Sequence, residues 1–160
     1  LSRIWIRGFI ANETTWDSLM SGFDLDGFLP YQLAVLSSRI SREFSTLYYQ
    51  KFGISVAEWR VVAHLSQSGS VSVREIHEKV DMDKPKVSRA ATRLEAQGYI
   101  TKTANAKDGR LVSLALTEKG HAMIAEITPL AHGYEAEVLA RLGAQEPAFK
   151  HAISILLNRP

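Results

Sequence analysis

Asp83-Lys84-Pro85-Lys86-Val87-Ser88-Arg89-Ala90-Ala91-Thr92-Arg93-Leu94-Glu95-Ala96-Gln97-Gly98 decides how this chain is read. Asp83 suits a helix N-cap, Pro85 falls in a first turn where its missing N–H costs nothing, and Gly98 is a natural stop. Val87, Ala91 and Leu94 share one face. Lys86, Arg89, Arg93 and Gln97 step by three, four and four along the other, flanked by Ser88 and Thr92. The stretch predicts a helix with a core side and a donor-rich side. A merely solvated basic face is the plainer alternative.

Outward from this helix the punctuation continues. Tyr99 to Ala104 and Leu111 to Leu116 read as two strands joined by the turn cluster Asn105-Ala106-Lys107-Asp108-Gly109-Arg110. In the second strand Val112, Leu114 and Leu116 alternate with Ser113 and Ala115, predicting one buried face. Thr117 is placed to cap a fifth helix, whose stripe of Met123, Ile127, Leu130, Tyr134, Val138 and Leu142 passes Pro129, where a kink is expected. Ala144 to Asn158 reads as a last helix with Phe149, Ile153, Leu156 and Leu157 apolar.

Upstream, Pro30 opens a first helix with Leu33, Leu36, Ile40, Phe44 and Leu47 in a stripe, stopped by Gly53. Ser55-Val56-Ala57-Glu58 and Ser72-Val73-Arg74-Glu75 are capping boxes. They predict a second helix to about Gln67 and a short third helix to about Val80, separated by Ser68-Gly69-Ser70. The status of residues 1–29 is open. An arm packing on a second subunit, a tag, and a start at Met20 all fit them.

The order predicts a mainly α fold with a small β-hairpin wing: a winged helix-turn-helix flanked by N- and C-terminal dimerisation helices. Residues 1–29 form an extension, 30–54 a dimerisation helix, 55–118 the DNA-binding lobe and 119–160 the C-terminal dimerisation helices. A small winged core could hardly cover the stripes of the first, fifth and sixth helices. A homodimer across a two-fold axis follows, with two basic helices about one DNA turn apart on a near-palindromic site.

Composition narrows the classes. The 160 residues, 46% hydrophobic and 22% charged, suit an ordinary globular chain with a real core. There is no apolar run of about 18 residues, so no membrane partner is expected. Cysteine is absent, which excludes disulfides and thiol chemistry and fits a cytoplasmic setting. A net charge of +2 says little, but residues 84–97 hold Lys84, Lys86, Arg89 and Arg93 against Glu95 alone. The positive field is focused where phosphate attraction needs it. No Gly-rich phosphate loop and no Gly-x-Ser-x-Gly elbow is present, and the histidines lack metal-ligand spacing. No enzyme activity, no cofactor and no metal are expected.

Four strings carry a family resemblance. They are Ala57-Glu58-Trp59-Arg60-Val61-Val62; Val87-Ser88-Arg89-Ala90 with Arg93-Leu94-Glu95-Ala96-Gln97-Gly98-Tyr99-Ile100; Asp108-Gly109-Arg110; and Leu116-Thr117-Glu118-Lys119-Gly120. In this order and spacing, over about residues 30–158, the chain resembles the MarR family of bacterial transcriptional regulators. The resemblance implies a homodimeric winged-helix protein on operator DNA. It also implies repression, with release by a small, often aromatic or anionic, ligand lodged between the dimerisation helices and the winged lobe. Without cysteine, the oxidant-sensing variant of that mechanism is excluded.

The expected partners are double-stranded DNA, a second copy of the chain and a small-molecule effector. Lys84, Lys86, Ser88, Arg89, Thr92 and Arg93 are the expected base and phosphate contacts. Ser72 and Arg74 would anchor the DNA backbone, with plain capping the equal alternative for Ser72. Lys107 would meet a phosphate. By resemblance Arg110 reaches the minor groove while Asp108 holds the wing's shape; a plain Asp-Gly turn is the bland alternative. Arg39, Trp59, Arg60 and His64 are candidate ligand contacts, against core packing for Trp59 and surface roles for the others. A second reading is an effector-free winged helix used as an architectural or protein-interaction module.

Overall fold

The computed structural model describes residues 23–104 and 112–158. These fall into two compact units, one ending at Ile40 and one beginning at Ser41. The first holds a turn in which Phe23 meets Phe28 edge-on at 5.2 Å and the Gln32 side chain donates to the Asp26 carbonyl at 2.6 Å. It ends in the first half of α1 (Leu29–Phe52).

The second unit takes up the rest of α1 and continues with α2 (Val56–Ser68), β1 (Val71–Ser72), α3 (Val73–Val80) and α4 (Lys84–Ala96). The hairpin strands β2 (Ile100–Ala104) and β3 (Val112–Leu116) follow. Then come α5 (Glu118–Ala140), a 3-10 turn (Gly143–Gln145) and α6 (Glu146–Leu157). The helix starts are set by side chains. Ser55 and Ser72 each accept from the amide three residues on, and Glu58 and Glu75 accept back from the Ser55 and Ser72 amides at 2.6 Å. Asp83 accepts from the Lys86 amide at 2.7 Å, with Pro85 in the first turn. Four orphan N–H groups at each helix start make such caps worth about 1 kcal/mol apiece.

The hairpin is part of a three-stranded antiparallel sheet in the order β1-β3-β2. β1 was not foreseen, because two residues carry no period and Ser72 reads as a cap or a backbone anchor, not as a strand residue. Its pairing explains a second departure. The expected alternation along β3 fails: Ser113 is buried and Val112 exposed. Ser113 sits between Ser72 and Thr103, whereas Val112 lies beyond the end of β1 and pairs only with Ala104.

The core draws on every long element of the second unit except α6. Ile54, Val61, Val62, Leu65, Ile76, Val87, Ala91, Leu94, Leu114 and Ile127 are essentially inaccessible. Each of the Val, Leu and Ile side chains among them contributes about 1.5–3 kcal/mol of transfer free energy. As expected of a stripe that the winged core cannot cover, Leu33, Leu36 and Leu47 of α1 are exposed; the buried residue of this helix is Tyr48, and Phe44 packs against the core. On α5, Met123 and Ile127 reach the core but Leu130 does not. The helix runs unbroken through Pro129 and ends before Leu142. No residue of α6 is buried.

Candidate nucleic-acid interface

α4 is built as its sequence predicts. Val87, Ala90, Ala91 and Leu94 are buried, while Lys84, Lys86, Ser88, Arg89, Thr92 and Arg93 are exposed on the same helix. The turn before it is fixed by buried Met82, whose carbonyl meets Nδ1 of His77 on α3. Helices α2 and α3 pack against α4 and leave its basic side free of the core.

The exposed cations are not equivalent. Among the described residues, no carboxylate lies within 4.0 Å of Lys84, Lys86 or Arg89, so these are available to an anion. Arg93 faces the Glu58 carboxylate at 4.0 Å. Thr92 donates to the Ser88 carbonyl at 3.0 Å and accepts from Lys102 Nζ at 3.0 Å. Lys102, on β2, also lies 2.8 Å from Glu95. It ties the root of the wing to α4, a role sequence reasoning missed; the nearby Glu95 was the only available signal.

Ser72 is buried, and its hydroxyl serves as the cap of α3. The capping alternative therefore describes its hydroxyl. Hydrogen bonds from Ser72 hold the Glu75 carboxyl below the usual carboxylate range. Arg74 is exposed and its Nε lies 3.1 Å from Glu78, one turn along. Lys107, Asp108 and Arg110 lie outside the described residues.

The wing's base is locked by the string after it. Gly98, at φ +75°, turns the chain off α4, a conformation that costs glycine little. Thr117 donates its hydroxyl to the Gly98 carbonyl at 2.7 Å and accepts from the Gly120 amide at 3.0 Å. Lys119 reaches the Gln97 carbonyl at 2.8 Å and sits over the Tyr99 ring. The end of α4, both strand roots and the start of α5 thus form one knot.

Of the ligand candidates, Trp59 packs on the core, stacked on Tyr48 at 5.5 Å and edge-on to Phe44 at 5.3 Å. Tyr134 stacks on the other ring, Phe44, and donates to Glu43 at 3.1 Å. Burial pushes the Tyr48 phenol up to about 12; the nearby Arg60 pulls the other way. Arg60 and His64 are half-buried, one turn apart on α2, and His64 lies 3.5 Å from Ser68. Arg39 lies in the other unit, on an open groove of about 370 Å³ with Tyr31 and Gln32.

A capped basic helix presented beside a three-stranded wing is the geometry of a winged helix-turn-helix DNA-binding protein. The model of the MarR family matches residues 52–111. The HTH-type transcriptional repressor MdtR of Bacillus subtilis is 32% identical over 130 residues, covering 81% of this chain and 79% of the relative. The crystal structure of a MarR/EmrR family transcriptional regulator from Acinetobacter sp. ADP1 matches with a TM-score of 0.73 at 32% identity, over 84% of this chain and 93% of that one. Bordetella bronchiseptica BpsR shares the fold, with a TM-score of 0.74 at 19% identity over 86% of this chain and 99% of that one. The chain belongs to the MarR family of transcriptional regulators, and the expected winged-helix fold is the one found.

Proposed function

We propose that this chain is a homodimeric repressor that grips a near-palindromic operator and releases it on binding a small ligand. The observation that carries the DNA reading is the exposure of Lys84, Lys86 and Arg89 on α4, without a carboxylate partner among the described residues. Arg89 is the candidate for a bidentate guanine contact, and Ser88 for a base or phosphate. Lys84 and Lys86 are placed for phosphates, and Arg74 for the DNA backbone beside α3. Lys107 and Arg110 would extend contact from the wing tip, with Asp108 holding its shape.

Two copies are supported by the apolar surface of α6, where Ile155, Leu156 and Leu157 are more than half exposed. Release by a ligand is supported by relatives of the same fold. The DNA binding of BpsR is regulated by 6-hydroxynicotinic acid, and PcaV of Streptomyces coelicolor was solved with its natural ligand. Arg39, Arg60 and His64 are the candidate anion contacts here; Trp59 is engaged in packing. A ligand acts only to the extent that it prefers a spacing of the two α4 helices that mismatches the half-sites. Such a regulator works in the cytoplasm, where its DNA is.

The test is selection of bound duplexes from a random pool, followed by titration of the winner. A near-palindromic consensus with steeply salt-dependent affinity is expected. No enrichment at low salt overturns the DNA reading. Operator retention across a panel of aromatic carboxylates leaves the effector-free module as the better description.

A further inference from the structure

We propose that Glu58 is a positioning residue that holds Arg93 back from the DNA backbone, so that Arg93 adds to operator selectivity instead of non-specific grip; this rests on the DNA-binding reading above. Glu58 is 3% exposed, an unusual burial for a carboxylate beside a surface meant for phosphates. Its Oε2 accepts from the Ser55 amide at 2.6 Å, closing the capping box of α2. Its Oε1 faces Arg93 Nη1 at 4.0 Å, and the Arg93 side chain remains 73% exposed. One carboxylate therefore fixes the start of α2 and steers a cation of α4.

The arrangement sets up a competition. For Arg93 to move to a phosphate, it must leave a buried carboxylate with one amide as its remaining partner. Leaving a buried charge unpaired is costly, so a passing phosphate of random sequence does not draw Arg93 away. Lys84, Lys86 and Arg89 carry no such restraint and supply the sequence-independent attraction. Glu58 thus divides the cations of α4 into free ones and a tethered one. A capping box needs only an acceptor at this position, and Gln would serve; the charge is what acts on Arg93.

Glu58→Gln keeps an acceptor for the Ser55 amide and removes the charge. With Arg93 released, binding to a scrambled duplex should gain one phosphate contact. The slope of log affinity against log salt then steepens by about 0.9, which is roughly eightfold tighter binding at 0.1 M salt. Operator affinity should rise less, so the selectivity ratio falls. In an Arg93→Ala background the same substitution should change neither slope nor ratio. Ser55→Ala, which weakens the cap but keeps the carboxylate, should lower the melting temperature and leave the slope alone. An unchanged slope in Glu58→Gln overturns the proposal, as does a steeper slope that persists without Arg93. If Glu58→Gln fails to fold, Arg93→Ala decides: loss of operator affinity with an unchanged non-specific slope supports the proposal, and a shallower non-specific slope overturns it. Absence of DNA binding by the parent chain refutes the DNA reading itself and is thereby distinguished from failure of this one.

Discussion

Lys102 Nζ stands 2.8 Å from the Glu95 carboxylate and 3.0 Å from the Thr92 hydroxyl, joining the first wing strand to the basic helix. The helix and the wing strand are thereby set at one angle. Lys102→Met keeps the apolar stem and loses both contacts. Because the pair is partly exposed, the stability change should stay at or below about 1 kcal/mol. Operator affinity should nonetheless fall roughly threefold to tenfold, since helix and wing no longer dock together; about 1.4 kcal/mol corresponds to tenfold. The salt slope separates this from a direct phosphate contact. It should be unchanged for a positioning role, and a loss of about one unit would show Lys102 to be a phosphate ligand.

Gly120 packs at the wing's root with no room to spare. A Cβ there would stand 2.1 Å from the Tyr99 carbonyl oxygen. That oxygen also accepts from the Thr117 amide at 3.0 Å, so neither side can retreat without losing the knot. Gly120→Ala should destabilise by about 1–3 kcal/mol despite the better helix propensity of Ala. Urea unfolding measures it, and wild-type stability would show that the start of α5 shifts freely.

Much of this site was legible because it is local. The Asp83 cap, the two capping boxes and the 3-4-4 spacing of Lys86, Arg89, Arg93 and Gln97 are all short-range patterns, and each is found as read. What escaped was set by pairing across the chain. Ser72 looked like a surface cap, yet its pairing with Ser113 buries it. Lys102 had no visible purpose until β2 lay beside α4. Glu58 read as a capping residue, because the Arg93 it faces is 35 positions away in sequence. Leu33, Leu36 and Leu47 were legible in another way: their stripe exceeds what a small winged core can cover, and they are exposed.

Tyr48 is fully buried, and among the described residues its hydroxyl has no hydrogen-bond partner. Tyr48→Phe should stabilise the chain by about 1 kcal/mol, since it removes a desolvated polar group while the ring keeps its packing on Trp59 and Phe44. The pH dependence follows. Burial raises the phenol from 10.0 to about 12, so the fold favours the protonated form. The contribution is intact below pH 10 and is lost as pH rises from 10 toward 12, where the unfolded chain ionises first. Chemical denaturation between pH 9 and pH 12 should show a steeper alkaline loss in the parent than in Tyr48→Phe. Parallel curves would mean that the hydroxyl ionises in the folded state at its ordinary pKa.

The apolar surface of α6 gives the last prediction. No residue of this helix is buried, though it carries Ile153, Ile155, Leu156 and Leu157. An ion pair between α6 and α5, the exposed Lys150–Glu135 pair at 4.0 Å, is worth little in water. A helix this apolar needs a partner surface, and a second copy supplies one by symmetry. Leu156→Glu and Ile153→Glu should shift sedimentation toward monomer at micromolar concentration. The core of the second unit lies elsewhere, in Ile54, Leu65, Leu94 and Leu114, so the circular dichroism of its helices should largely persist. Operator binding should weaken far more than half-site binding, because a dimer engages its second half-site at a high effective concentration and a monomer does not. Dimers of normal strength in both variants would move the interface off α6.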